Sequence, residues 1–444
     1  MTGLEVWLDE HEVGWLKPVD GEGARARLSL GYLERWTSEP LAFPLAPSLP
    51  LPPRGGPGSE LTDDAVLTYF ENLLPEGEAR RQTFAALGLP QGDVFGALQR
   101  MGREMAGAVR LLPERRERPA GPAQRLITSE ELSERIRHRE EQAFGVWDGQ
   151  VRGALAGCQD KLGVYVEPDG GWHLVDGPQM ASTHVLKPAP VAESLGDLPF
   201  NEYFCMSLAA RVGLDVAPVQ LHRVPEPVLL VQRFDRQRLD DGRVRRLHVI
   251  DACQALGWPP SLKYERSLEG IAGQAHRRDG VSLPRLFGLL AHSPSPLVDS
   301  RALVRWVIFQ LLIGNSDAHG KNVSFFVDHG GVRLAPAYDI VCMPPLGFDH
   351  PQAMAIGDAF SEPELTPFEW ACFAKQCGVA PRQLAQDLRR LTETLTAEAP
   401  KLARELADVV PPRVSDAIID VLASTCARQR RLAGEIPKVK PEDL

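Results

Sequence analysis

Apolar and polar residues alternate at the start of the chain. Leu4-Glu5-Val6-Trp7-Leu8 reads as a strand, Asp9-Glu10-His11-Glu12 as a turn, and Val13-Gly14-Trp15-Leu16 as the return. Ala26-Arg27-Leu28-Ser29-Leu30 alternates in the same way. Pro40 to Pro57 carries too much proline and glycine for a helix or a central strand, which leaves a linker or an ordered surface loop. Over residues 64–74 the period lengthens, and Ala65, Leu67, Phe70, Leu73 and Leu74 share a helical face. Gly107 to Pro113 reads as a closing strand. Charged, Pro- and Gly-containing residues from Glu114 to Arg125 then separate a small α+β domain, 1–113, from the rest.

In the next region, 126–245, Gly163-Val164-Tyr165-Val166, His184-Val185-Leu186-Lys187 and Val228-Leu229-Leu230-Val231 are strand candidates. An amphipathic helix, Asn201 to Val212, lies between the last two. From 246 to 444 the pattern becomes mostly helical. Leu303 to Leu312 is almost wholly apolar and predicts a buried helix, and residues 366–435 predict three or four more. There is no internal repeat.

Composition adds limits. A chain of 444 residues is too long for one ordinary core. Its 43% hydrophobic and 24% charged residues are those of a globular protein. A formal net charge of -10 argues against a mainly electrostatic nucleic-acid binder. The short basic runs around Arg115-Arg116 and Arg430-Arg431 read as solvated surface. The seven cysteines form no CxxC and their odd number suits reduced thiols. An acidic N-terminus and the absence of a long apolar run predict neither signal peptide nor membrane span, and hence a cytoplasmic protein.

The chemistry centres on Asn315-Ser316-Asp317-Ala318-His319-Gly320-Lys321-Asn322, directly behind the apolar helix, with Ala337-Tyr338-Asp339 downstream. An Asp, four intervening residues, an Asn and a later Asp is the arrangement of kinase-type phosphoryl transfer. Asp317 would orient or deprotonate the acceptor hydroxyl. Asn322 and Asp339 are oxygen donors suited to Mg²⁺. Lys321 can neutralise phosphoryl charge, and His319 reads first as a brace of the loop. The bland alternative is a polar turn with an Asx cap.

Weaker signals precede this loop. In Ala156-Gly157-Cys158-Gln159-Asp160-Lys161, small residues let backbone amides approach phosphate and Lys161 adds charge, although most such turns are only turns. Lys187 ends a strand, where it holds phosphates or sits at an edge in water. Glu202 on the next helix orients that lysine or lies on the surface. Gln232, Arg233 and Phe234 follow an apolar strand as an adenine-facing edge, or else Phe234 is a core residue beside an Arg233–Asp235 surface pair. Phosphate loop, strand Lys, helix Glu, hinge, catalytic loop and metal Asp come in kinase order.

These residues resemble the HipA family of bacterial serine/threonine kinase toxins from end to end. The resemblance rests on Asn72-Leu73-Leu74-Pro75-Glu76, Gly107-Ala108-Val109, Leu155 to Lys161, Thr183 to Lys187 and Asn201-Glu202-Tyr203. It continues in Arg233-Phe234-Asp235-Arg236, Leu247 to Gly257 and the loops at Asp317 and Asp339. It implies an α+β, divergent protein-kinase-like fold similar to phosphatidylinositol kinases. The parts would be an N-terminal subdomain, a nucleotide-binding small lobe over 126–245 and an all-helical C-terminal lobe over 246–444.

The resemblance also implies ATP and Mg²⁺, with Ala156 to Lys161, Lys187, Gln232 to Phe234, His319 to Asn322, Tyr338 and Asp339 around the nucleotide. Asp317 would be catalytic, with Asn322 and Asp339 on the metal. The implied acceptor is a protein such as an aminoacyl-tRNA synthetase, with growth arrest as the result. The implied partner is a HipB-like helix-turn-helix antitoxin, and operator DNA is reached only through that complex. Alternatives are a catalytically weak corepressor subunit and a small-molecule phosphotransferase on the same fold. One departure stands out. Ala154 occupies the place of a serine that family members usually phosphorylate on themselves, and Gly153 to Lys161 offers no hydroxyl.

Overall fold

The structure is a computed structural model that describes all residues except 1–2, 20–26, 54–59, 63, 114–122, 153–156, 158, 178–179, 267–276, 441 and 443. The chain forms two compact units. The first takes in residues 1–191, 222–260 and 325–331, and the second 192–221, 261–324 and 332–444.

The first unit holds two antiparallel sheets. One comprises β1 (Leu4–Leu8), β2 (His11–Pro18), β3 (Leu28–Tyr32), β4 (Glu60–Leu61) and β5 (Val109–Pro113), in the order β4-β3-β2-β1-β5. The predicted alternation is real: Leu4, Val6 and Leu8 are buried, and Val6 lies opposite Gly14 and Leu111. The turn is tighter than expected. Leu8 pairs with His11, so only Asp9 and Glu10 reverse the chain, with Asp9 at a positive φ of 52° that its short polar side chain tolerates. The proline-rich segment is an ordered loop over its described part. Leu45 and Leu49 are buried there, and the Tyr32 hydroxyl accepts from Leu45 N–H and donates to the Leu49 carbonyl. The helix Asp64–Glu71 stops before Leu74 because the Asn72 amide caps the Thr68 carbonyl and also reaches the Trp258 carbonyl.

The second sheet contains β6 (Ala123–Leu126), then, beyond the short ribbon of β7 (Val146–Trp147) and β8 (Gln150–Val151), β9 (Leu162–Val166), β10 (Trp172–Asp176) and β11 (His184–Pro188). The strand Pro227–Gln232 pairs with β11, so β11 runs between it and β9 in the sheet interior. Leu162, Val164, Leu186, Val228 and Leu230 pack with Trp147 and Phe144 into its core.

The second unit is largely helical. Its long helices are Leu198–Arg211, Pro296–Leu312, Pro367–Gln376, Pro381–Glu405 and Pro412–Ala433. The last three account for the helices expected over 366–435. Two helices begin earlier than their apolar faces suggested, each with a proline in its first turn, where a missing N–H costs nothing. Strands at Val249–Asp251, Ser324–Asp328 and Gly331–Leu334 interrupt the region read as helical from 246 onward. Among the described residues, no helix is long and apolar enough to cross a membrane. None of the six described cysteines is in a disulfide.

Candidate active site

The buried half of Pro296–Leu312 delivers the chain to the Asp317 loop. Gly314 adopts φ 72°, and the Gly314 and Asn315 amides donate back to the Leu311 and Gln310 carbonyls. This Schellman stop needs a residue without a Cβ penalty at the left-handed position. Asn315 is buried. Its amide nitrogen donates to Gln310 Oε1 (2.8 Å) and its Oδ1 accepts from Asp317 N–H (3.2 Å). The Asx turn expected of a bland polar loop is therefore present, and it sets the backbone of Asp317.

Around Asp317 the second unit gathers several of the expected residues. Asn322 Nδ2 donates to the Asp317 carbonyl (3.0 Å), and His319 N–H donates to the same oxygen (2.8 Å). Tyr264 Oη donates to Asp317 Oδ1 at 2.5 Å. Burial pushes the Asp317 carboxyl above its ordinary range. The Tyr264 hydrogen bond opposes this, and the neighbouring charge of Asp339 adds to it. Asp339 itself has a positive φ of 57°, an uncommon backbone state for a residue with a Cβ. His319 is buried among Lys263 and Lys321. Burial first and those cations second hold its imidazole neutral, with a pKa near 3. Its Nδ1 has no hydrogen-bond partner, and its ring meets Tyr264 edge-on, 5.1 Å between centroids. Gly320 N–H donates to the Lys263 carbonyl (2.9 Å). The Tyr338 hydroxyl is engaged by the loop itself, donating to the Lys321 carbonyl (2.5 Å) and meeting Ser324 Oγ (2.8 Å).

The remaining candidates lie in the first unit. Lys187 sits opposite Leu229 in the interior strand β11 and is only 7% exposed, so the reading of a solvated edge lysine falls away. Gly157 has φ 116°, and a Cβ there would lie 2.6 Å from Lys161 Nζ. Its carbonyl accepts from Glu76 N–H (3.1 Å) and it bridges Pro75 in parallel. The N-terminal motif Asn72 to Glu76 thus holds the candidate phosphate loop. Gln159 Nε2 donates to the Pro188 carbonyl (3.3 Å) and ties the loop to the end of β11. Burial raises the Asp160 carboxyl, while Arg139 at 3.9 Å opposes that shift. Ala154, Ala156 and Cys158 lie outside the described residues.

The hinge is a partial correction. Gln232 is exposed and paired opposite His184, and Phe234 meets Phe326 edge-on at 6.0 Å. Arg233 is not half of a surface pair, nor is its side chain offered to a ligand. Its N–H donates to the Thr183 carbonyl, and its guanidinium donates to Asp235, Glu104, Ser182 and the Met105 carbonyl. Arg236 and Arg246 converge on the same carboxylates: Arg236 on Asp235 and Glu104, Arg246 on Glu104. Gly107, at φ 70°, gives its N–H to Asp235 Oδ2 (2.7 Å), and a Cβ there would strike the Val249 carbonyl at 2.6 Å. Burial alone would raise Glu104, yet Arg236, Arg246 and Arg233 pull it down to about 2. Asp235 lies well below the carboxylate range because Arg233 and Arg236 likewise outweigh its burial.

The description "HipA N-terminal domain" matches residues 4–112, and "HipA-like C-terminal domain" matches residues 153–399. The second alone spans more than half of the chain. The chain belongs to the HipA family. A Shewanella oneidensis relative, serine/threonine-protein kinase toxin HipA, is 32% identical over 425 residues, which cover 93% of this chain and 92% of that protein. The Sinorhizobium fredii protein Y4mE, which carries a kinase name, is 36% identical over 97% of this chain and 98% of its own length. A solved Shewanella oneidensis structure of HipA with HipB and its operator DNA superposes with a TM-score of 0.82 at 30% identity, covering 98% of this chain and all of that one. The resemblance read from the motifs is borne out. The fold is the divergent protein-kinase-like fold of HipA, and the chain is an enzyme of the serine/threonine protein kinase class.

Three residues of this HipA family chain escaped the sequence reading. Tyr264 and Lys263 lie in the charged run Lys263 to Arg266, where a lone tyrosine is the only hint. Glu104 gives no local signal, because all three of its arginines are more than a hundred residues away.

Proposed function

We propose that this HipA family kinase transfers the γ-phosphoryl group of ATP to a serine or threonine of a translation protein, an aminoacyl-tRNA synthetase in particular, and so arrests growth as the toxin of a toxin–antitoxin module. The observation that carries this reading is the Asp317 carboxylate, buried, set by an Asx turn and placed beside Asp339. Asp317 accepts the proton of the acceptor hydroxyl. A carboxyl raised by its surroundings is the better proton acceptor near neutral pH.

The donors fit a hard cation. Asn322 spends its amide nitrogen on the Asp317 carbonyl, which leaves its oxygen, and Asp339 brings a carboxylate whose repulsion with Asp317 a cation would offset. Among the described residues no three His, Cys, Asp or Glu side chains gather as a protein-only cage. Asn322 and Asp339 would hold Mg²⁺, which when bound neutralises charge on the nucleotide phosphates. Lys187 would pair with the α- and β-phosphates of ATP, Gly157, Gln159, Asp160 and Lys161 would line the phosphate path, and Gln232 and Phe234 would face the adenine. His319, Gly320 and Lys321 keep the loop in shape, and Tyr338 holds it from below through the Lys321 carbonyl.

The partner we propose is a HipB-like helix-turn-helix antitoxin. The relative solved with HipB and operator DNA supports this, and a net charge of -10 suits a chain that reaches DNA only through that complex. The protein works in the cytoplasm. The test is transfer of label from γ-labelled ATP to a whole-cell lysate. Label in discrete protein bands is expected; label confined to small molecules would replace the protein acceptor with a metabolite. In cells, a toxic Asp317→Gln variant would replace the kinase reading with a corepressor. Phosphosite mass spectrometry after incubation with ATP should find no stoichiometric phosphate over residues 150–170, because Ala154 removes the usual hydroxyl.

A further inference from the structure

Within the second unit, Asp317 Oδ1 accepts the Tyr264 hydroxyl at 2.5 Å, a short hydrogen bond of the charge-assisted kind. Two interpretations are open to such a hydroxyl. It can be a plug that an acceptor must displace, or a fixed brace. The backbone decides between them. The Lys263 carbonyl takes Gly320 N–H (2.9 Å), Glu265 N–H donates to the Ala353 carbonyl (2.9 Å), and the Glu265 carbonyl takes Gly280 N–H (3.2 Å). On either side, the Leu262 carbonyl takes Val281 N–H, and Glu265 Oε2 takes Ala355 N–H at 2.7 Å. A Cβ on Gly280 would lie 1.7 Å from the Tyr264 carbonyl, so the two strands of chain touch at their backbones. The Tyr264 ring stands against His319. With the backbone on both sides of Tyr264 fixed and its ring against His319, the hydroxyl is placed as a brace.

We propose that Tyr264 is a positioning residue of the phosphotransfer step: it holds Asp317 in one rotamer through Oδ1 and reserves Oδ2 for the acceptor hydroxyl. This rests on the reading of Asp317 as the proton acceptor. In the step, the acceptor oxygen bonds to the γ-phosphorus and the bond from that phosphorus to the ADP oxygen breaks. The acceptor proton passes to Oδ2, and Tyr264 keeps its own proton throughout. The tyrosine therefore contributes geometry, and a carboxylate free to rotate loses it.

The experiment is a double-mutant cycle with Tyr264→Phe, Asp317→Asn and the pair. It follows label transfer from γ-labelled ATP to lysate protein, and the melting temperature of each nucleotide-free protein. Tyr264→Phe keeps the ring against His319 and should fold. Its kcat should fall roughly 10- to 100-fold with the KM for ATP unchanged, as expected when a reacting group is misplaced. The double variant should be no slower than Asp317→Asn, because the brace acts on the rate only through the Asp317 carboxylate. A Tyr264→Phe enzyme with wild-type kcat, or a double variant slower by the full Tyr264 factor, would overturn the brace while leaving Asp317 in its role. An Asp317→Asn enzyme at the wild-type rate would instead remove the proton-acceptor reading, and the brace with it.

Discussion

Two stretches of this chain bury charge, and they do so to opposite effect. Around Arg233 to Arg236 the first unit packs three guanidiniums against Glu104 and Asp235, and both carboxyls are driven below their ordinary range. Around Asp317 the second unit buries a carboxylate beside another, and the Asp317 carboxyl is driven up. The first cluster is compensated and joins distant segments of one unit. The second holds a carboxyl that burial raises, with His319 Nδ1 and Ser316 Oγ buried and unpartnered nearby. Burial by itself says nothing about function; what lies around the buried group decides.

The sharpest way to break this contrast is to remove each acid. Asp317→Asn should slow transfer about 10³-fold, which is about 4 kcal/mol of barrier. Its urea midpoint in metal-free buffer should hold or rise, since a buried charge is removed while the amide oxygen can still accept from Tyr264. A matching loss of stability would make Asp317 a structural acid like Asp235. Asp235→Ala should do the reverse. It removes one of the two carboxylates that the buried guanidiniums share and should cost about 3 kcal/mol in urea unfolding. A variant as stable as wild type would mean that the cluster contributes no cohesion.

Acid should separate the clusters more gently. Glu104 has an ordinary value of 4.5 and a folded value of about 2. Its folded pKa is depressed, so its contribution is complete above about 4.5 and is lost as pH falls toward 2. Asp317 is shifted the other way, so the cost of burying its charge is relieved by the same acid. Urea midpoints between pH 6 and pH 3 should therefore fall in the wild type and fall less in Glu104→Gln. Equal slopes would remove Glu104 from the acid response. The smallest effect concerns His319. Held neutral down to about 3, it should add no inflection to the rate profile near pH 6.5. An inflection there that disappears in His319→Gln would show a titrating imidazole.

Much of this was legible in the chain. The Asp317 loop could be read because its members are contiguous and its Asn lies at a fixed spacing. Several strands of both sheets could be read because alternation is local, whereas β4, β6 and β10 were not read, and β6 begins inside the stretch taken as a separator. Lys187 could be named but not placed, since whether a strand is interior or edge depends on which strands pair with it. Arg233 was read as half of a surface pair or as part of a hinge because its carboxylate Glu104 is 129 residues away. Tyr264 was missed because it meets Asp317 across 53 residues.

The sequence by itself determined many of the local elements, the family and the identity of the chemistry-bearing groups, because periodicity, turn residues and motif spacing act over a few positions of the chain. Only the tertiary structure decided which buried carboxyls are lowered and which is raised, and which hydroxyl donates to Asp317. Desolvation and pairing depend on what folds against a side chain, and for Asp317, Arg233 and Lys187 those neighbours come from remote parts of the chain.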